Sequence, residues 1–191
     1  MKKTIVAMII CTLLLTACNK LLPPTPESQK VDGEPNNTVT NQEVKKDITF
    51  LVEGQEEIVS TVLHKGDGYS IYIPAEGYRY EKENSDGALV EEWDSELNDD
   101  VSLEIYTYKN KALSDAQSEF LKENDDYIFE DINASPAMGK ESDGDYIMYK
   151  AYENEGNTYI VAWEYPKEAA EGFGARLSQI ADTFELSKTN S

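Results

Sequence analysis

Residues 101–124 read VSLEIYTYKNKALSDAQSEFLKEN, and the hydrophobic period changes inside them. From Val101 to Tyr108 the period is two. Val101, Leu103 and Ile105 share one face, while Glu104, Tyr106 and Tyr108 share the other, which is the pattern of a β-strand. From Ser114 the period is helical, with Ala116, Phe120 and Leu121 on one stripe. Ser114-Asp115-Ala116-Gln117 has the spacing of a capping box, in which the Ser114 hydroxyl accepts the Gln117 backbone N–H and the Gln117 side chain reaches back.

Working outward, the upstream chain reads as strands. Residues 48–53 and 57–64 flank a Glu53-Gly54-Gln55 turn and form a predicted hairpin. YSIYI at residues 69–73 alternates and stops at Pro74. Residues 78–82 and 88–93 flank an Asp86-Gly87 turn. Downstream, residues 127–132 are predicted as a strand, and residues 145–153 and 158–165 as a hairpin. Pro166 then opens a last helix with Ala170, Phe173, Leu177, Ile180, Ala181 and Phe184 on one stripe; Gly172 and Gly174 weaken its first turn. Hairpins imply antiparallel pairing, so the fold class is α+β: a mainly antiparallel β-sheet with two helices packed on it. The strand GYSIYIP running into Glu76-Gly77-Tyr78, the strand VSLEIYTY, the helix LSDAQSEFLKEN and the closing ARLSQIADTFEL together resemble the PsbP-like fold, over roughly residues 63–186. Tyr78 stands where members of that family often carry tryptophan. The resemblance implies a PsbP-like sandwich of a kind that mostly binds or assists other proteins, and it supplies no catalytic residues. The hairpin at residues 48–64 lies outside it and reads as an addition.

The chain opens MKKTIVAMIICTLLLTAC. Lys2 and Lys3 precede an apolar core too short to span a bilayer, which is the form of a signal peptide. Leu15-Thr16-Ala17-Cys18 is similar to a bacterial lipobox. That resemblance implies a diacylglyceryl thioether on Cys18, cleavage before it, and a protein held by lipid on the extracytoplasmic face of the cell membrane. Two acyl chains are what stable anchoring takes. The organisation expected is a signal at residues 1–17, the lipidated cysteine and a tether rich in proline and polar residues at 18–47, and one globular domain at 48–191. Cys11 and Cys18 are the only cysteines, so the expected mature domain has no disulfide and no thiolate chemistry. The full chain carries −20; residues 1–17 hold two lysines and no acid, so the remainder carries −22. A charge of that sign excludes nucleic acid as a partner.

No catalytic motif is present. His64 is the only histidine, so any Ser-His-acid triad has to use it. No G-x-S-x-G elbow, H-E-x-x-H helix or phosphate loop occurs. A carboxylate hydrolase would draw on mid-strand acids such as Glu104 and Glu164. Calcium is the better chemical alternative, because acidic loops surround Asp99, Asp125 and Asp143; none has EF-hand spacing, and turns use the same residue types. The reading preferred is a non-enzymatic domain that binds an unknown protein or small ligand. Twelve tyrosines are many for this length. Such rings most commonly pair across strands, half buried. If they form a binding surface instead, the candidates are Tyr72, Tyr106, Tyr108 and Trp163.

Overall fold

A computed structural model of the chain describes residues 44–142 and 144–188. Four strands form a small sheet in the order β1 (Lys45–Val52), β2 (Gln55–Lys65), β3 (Tyr69–Pro74) and β11 (Glu185–Leu186). Seven form a large sheet in the order β4 (Tyr78–Ser85), β5 (Ala88–Ser95), β6 (Ser102–Tyr108), β10 (Asn157–Tyr165), β9 (Tyr146–Asn154), β8 (Ala137–Lys140) and β7 (Ile128–Phe129). The strand pairs in both sheets are antiparallel. Two α-helices complete the fold, α1 (Leu113–Glu123) and α2 (Ala175–Ala181). The expected α+β architecture, mainly antiparallel sheet with two helices packed on it, is therefore the one observed.

Three layers result. Phe50, Tyr69, Ile71 and Ile73 of the small sheet pack with Leu177 and Ile180 of α2 against Trp93, Leu103, Ile105, Val161 and Trp163 of the large sheet. On the opposite face of the large sheet, Ala116 and Phe120 of α1 cover Tyr106, Tyr108, Ile160 and Tyr149. Strands β6 and β10 are thus buried on both faces, because the large sheet is the middle layer.

Several elements differ from the sequence reading. The α1 helix starts one residue earlier than Ser114, and no side chain caps it. The Ala112 carbonyl already accepts the N–H groups of Asp115 and Ala116, which puts Ser114 inside the first turn. The Ser114–Gln117 box does not form; the Ser114 carbonyl instead accepts the Ser118 hydroxyl at 2.7 Å. Strand β1 begins at Lys45, inside the stretch expected to be tether, and its hairpin with β2 makes half of the small sheet, with Phe50 1% exposed. The expected strand at 127–132 shrinks to two residues, and β8 is an element the sequence reading did not find. The last helix is entered through a 3-10 turn (Lys167–Ala169) and a π-turn (Ala170–Gly174). A Cβ on Gly174 would stand 2.9 Å from the Tyr165 ring, so that glycine is there for a close approach.

The outer edge of β1 is closed by a side chain. The Leu51 N–H donates to Gln179 Oε1 at 2.8 Å, and Gln179 Nε2 donates to the Leu51 carbonyl at 3.0 Å. One amide from α2 stands in for the strand that would otherwise pair there.

Candidate binding groove

The Asp86-Gly87 turn fixes the β4–β5 register, placing Tyr80 opposite Trp93 and Lys82 opposite Glu91. Alternation along β5 sends Glu91 and Trp93 to the face that meets the small sheet. There the end of β2 delivers His64 and the start of β3 delivers Tyr69. Four donors converge on one carboxylate. Glu91 Oε1 accepts from His64 Nε2 at 3.1 Å, from the Tyr80 hydroxyl at 2.7 Å and from Lys82 Nζ at 3.1 Å. Glu91 Oε2 accepts the Tyr69 hydroxyl at 2.5 Å. Glu91 is 1% exposed. Burial pushes its carboxyl up, but the hydrogen bonds from His64, Tyr69, Tyr80 and Lys82 outweigh burial and hold it well below the usual carboxylate range. Burial and the same carboxylate drive the Tyr69 and Tyr80 hydroxyls far above their ordinary value, so both remain donors.

Two of the rings tied to this carboxylate cluster with Trp93. The His64 ring meets Trp93 edge-on at 4.9 Å between centroids and lies 5.5 Å from Tyr80, which lies 5.2 Å from Trp93. The cluster floors an open groove of about 620 Å³, with Val44, Lys65, Pro74 and Tyr78 along its walls. Among the described residues the lining holds no serine, threonine or cysteine.

A second charged feature lies on the opposite face of the large sheet. Glu81, Glu92 and Glu104 are direct partners across β4, β5 and β6. Arg79 reaches Asp94 at 3.1 Å and Glu81 at 3.7 Å. Burial, then the neighbouring Glu104 and Asp94, push Glu92 up to about 8. Burial pushes Glu104 up to about 7, with Glu164 and Asp94 adding to it and the Tyr106 hydroxyl bond, at 2.5 Å, opposing it. Glu164 is likewise raised by burial, against the 2.5 Å bond from Tyr127.

The sequence-predicted residues do not assemble. Tyr106 and Tyr108 lie under α1, Trp163 lies between the two sheets, and all three are buried. Tyr72, half-buried, lies on the outer face of the small sheet beneath Lys46, with Nζ 5.1 Å from its ring centroid. The layer order does not bring these four to one exposed face, since Tyr106, Tyr108 and Trp163 are covered by other layers and Tyr72 is partly exposed. Asp99 lies in the β5–β6 turn, where the Asp100 N–H donates to Asn98 Oδ1 at 3.0 Å. Asp125 follows α1, whose end is closed by Asn124 Nδ2 donating to the Phe120 carbonyl at 2.9 Å. Asp143 lies outside the described residues. Among the described residues no group of three or more histidines, cysteines and acids is placed to hold a metal ion. Cys18 and the expected signal and tether up to residue 43 also lie outside the described residues.

No family model matches the chain, and no curated protein matches it. Among solved structures the chain is similar to the cyanobacterial PsbP protein CyanoP of Synechocystis sp. PCC 6803, with a TM-score of 0.44 and 12% identity over 63% of this chain and 87% of that one. It is also similar to a protein of Bacteroides thetaiotaomicron, with a TM-score of 0.37 and 18% identity over 65% of this chain and 47% of that one. The chain therefore spans about half the length of the Bacteroides protein. Neither likeness speaks to activity.

Proposed function

We propose that this chain is a lipid-anchored, extracytoplasmic lipoprotein whose domain binds an extended segment of a partner protein in the groove at the open end of the two sheets. The observation that carries the binding role is the ring cluster of His64, Tyr80 and Trp93, in which His64 and Tyr80 are held by hydrogen bonds to one buried carboxylate and both rings pack on Trp93. Rings held before the ligand arrives lose little freedom on binding. The lipobox-like Leu15-Thr16-Ala17-Cys18 supports the anchoring half of the reading, and the net charge of −20 supports a protein or neutral ligand over nucleic acid. His64, the single histidine of the sequence, is engaged to Glu91 as part of this cluster, which supports the binding reading. Calcium dependence stays a separate proposal, resting on the loops of Asp99, Asp125 and Asp143, and is tested below.

The test is a photo-crosslinking residue introduced at Tyr80 on intact cells, with Ile128, 74% exposed on β7, as the control position. A discrete adduct from position 80 and none from 128 is the expected result. Equal labelling from both positions, or from neither, would remove the groove as the binding site. Cys18→Ser in the same cells should move the protein from the membrane to the soluble fraction; retention on the membrane would overturn the anchor.

A further inference from the structure

The edge of a sheet is open to further pairing unless something blunts it. Among the described residues the outermost strands of the two sheets are β1, β11, β4 and β7. Three of these edges are blunted. β7 and β11 are two residues each. On β1 the Gln179 amide occupies the Leu51 backbone groups. β4 differs. It runs eight residues, pairs with β5 on its inner side, and every residue from Arg79 to Asn84 is exposed.

The groove adjoins this edge. Tyr78 and Tyr80 of β4 line it together with Trp93 and His64. Alternation places Tyr78, Tyr80 and Lys82 on the groove side of β4, and Arg79, Glu81 and Glu83 on the far side. A strand laid along β4 sends every second side chain to each of these faces. Strand addition takes its affinity from main-chain hydrogen bonds and its specificity from pockets for alternate side chains. The open edge supplies the first, and the ring-lined groove supplies the second.

Charge states which strand fits. Both cations of β4 are drawn toward acids of β5, Arg79 to Asp94 at 3.1 Å and Lys82 to Glu91 at 3.1 Å. Glu81 and Glu83 are then what the far face of β4 offers a neighbour. Opposite charges across a strand pair stabilise it, and like charges destabilise it. At longer range a chain of −20 attracts a cationic segment and repels both an acidic one and a second copy of itself.

We propose that the occupant of the groove is an extended, basic segment of another protein that adds to the large sheet as a strand beside β4. Its apolar side chains alternate into the groove against Tyr80 and Trp93. Its lysine or arginine side chains face Glu81 and Glu83. The proposal rests on the groove being the binding site, and it supplies the backbone mode and the chemistry of what binds there.

The test uses the chain from residue 18 with Cys18→Ser and, as probe, a capped octapeptide alternating lysine and valine. Only every second amide of an edge strand points outward, so hydrogen exchange should slow at alternate β4 amides when the peptide is added. A peptide of the same composition with its lysines and valines in two blocks should bind about tenfold more weakly. Glu81→Lys/Glu83→Lys changes two exposed side chains and leaves the core intact. It should weaken the lysine–valine peptide about tenfold and strengthen binding of a glutamate–valine counterpart. Equal binding of the alternating and block peptides, or unchanged β4 exchange at saturating peptide, overturns strand addition. A dimer in light scattering of the chain alone, with the same amides protected, overturns the external partner in favour of a second copy. If position 80 still yields its crosslink on cells while β4 stays unprotected, the groove remains the binding site and only the strand pairing fails. If position 80 yields no crosslink either, the groove reading falls with it.

Discussion

Glu91 and Glu92 are neighbours in sequence with opposite electrostatics, because alternation sends them to opposite faces of β5. Glu91 faces four donors, and its carboxyl lies below the ordinary 4.5. A lowered folded value means that its stabilising contribution is complete above that ordinary value and is lost as pH falls below it. Glu91→Gln replaces an ionised acceptor with an amide whose NH2 confronts other donors. We expect a loss of about 3 kcal/mol at neutral pH, read from urea midpoints, with the gap to the parent closing as the parent is acidified below pH 4.5. Equal stability at neutral pH would mean that the donors find water instead. Glu92 faces Glu81, Asp94 and Glu104, with Arg79 already shared between Asp94 and Glu81; Glu104 in turn faces Glu164, Asp94 and Glu123. Their values are raised to about 8 and about 7, so the folded protein binds protons that the unfolded chain releases. Their contribution is present below the ordinary 4.5 and fades as pH rises through about 8. Glu92→Gln should therefore raise the melting midpoint by about 3 °C near pH 8.5 and by much less near pH 5. The same small shift at both values would show that the ladder does not hold its protons.

At the scale of the element, the Gln179 amide is a substitute strand for Leu51. Gln179→Ala removes both hydrogen bonds from a partly solvated edge, for which we expect about 1 kcal/mol in chemical denaturation and a concentration-dependent tendency to self-associate, followed by light scattering. Unchanged scattering would mean that Lys45, Lys46 and Asp47 protect this edge on their own. How much of the architecture the residues disclosed depends on what each pattern encodes. The change of period after Tyr108, the hairpins and the closing stripe are local, and Leu177, Ile180 and Ala181 are all buried as their spacing requires. The two-residue Asp86-Gly87 turn also encodes a site contact, since it dictates that Tyr80 faces Trp93 and Lys82 faces Glu91. What alternation does not encode is which faces meet other layers. Tyr106 and Tyr108 share a face with Glu104, which reads as solvent, yet α1 folds back over both rings, while Glu104 stays at the margin of that cover. His64 reaches Glu91 across 27 positions from a different sheet, a contact no local period carries. Gly174 looked like a helix breaker and is instead the place where the backbone approaches Tyr165.

At the scale of the whole molecule, net charge decides how an ion experiment must be read. A chain of −20 repels itself, and any added salt relieves part of that repulsion. Calcium will therefore stabilise the protein to some degree even if it occupies no site. A specific site stabilises further, by mass action on the folded state alone. The loops at Asp99 and Asp125 are closed by their own backbone and side-chain hydrogen bonds, and the Glu81–Glu92–Glu104 row has Glu92 and Glu104 raised toward the protonated form. Among the described residues no group of three or more acids is placed to hold an ion, and calcium takes up six or more oxygens. The expected outcome is that a few millimolar calcium moves the melting midpoint no further than sodium chloride of equal ionic strength, with EDTA as the starting state. A larger rise that EDTA reverses would establish a cation site and revive the divalent-dependent reading. Asp99→Asn, Asp125→Asn and Asp143→Asn, taken one at a time, would then find the loop that holds the ion, because only the ligating loop would lose the excess over the salt control.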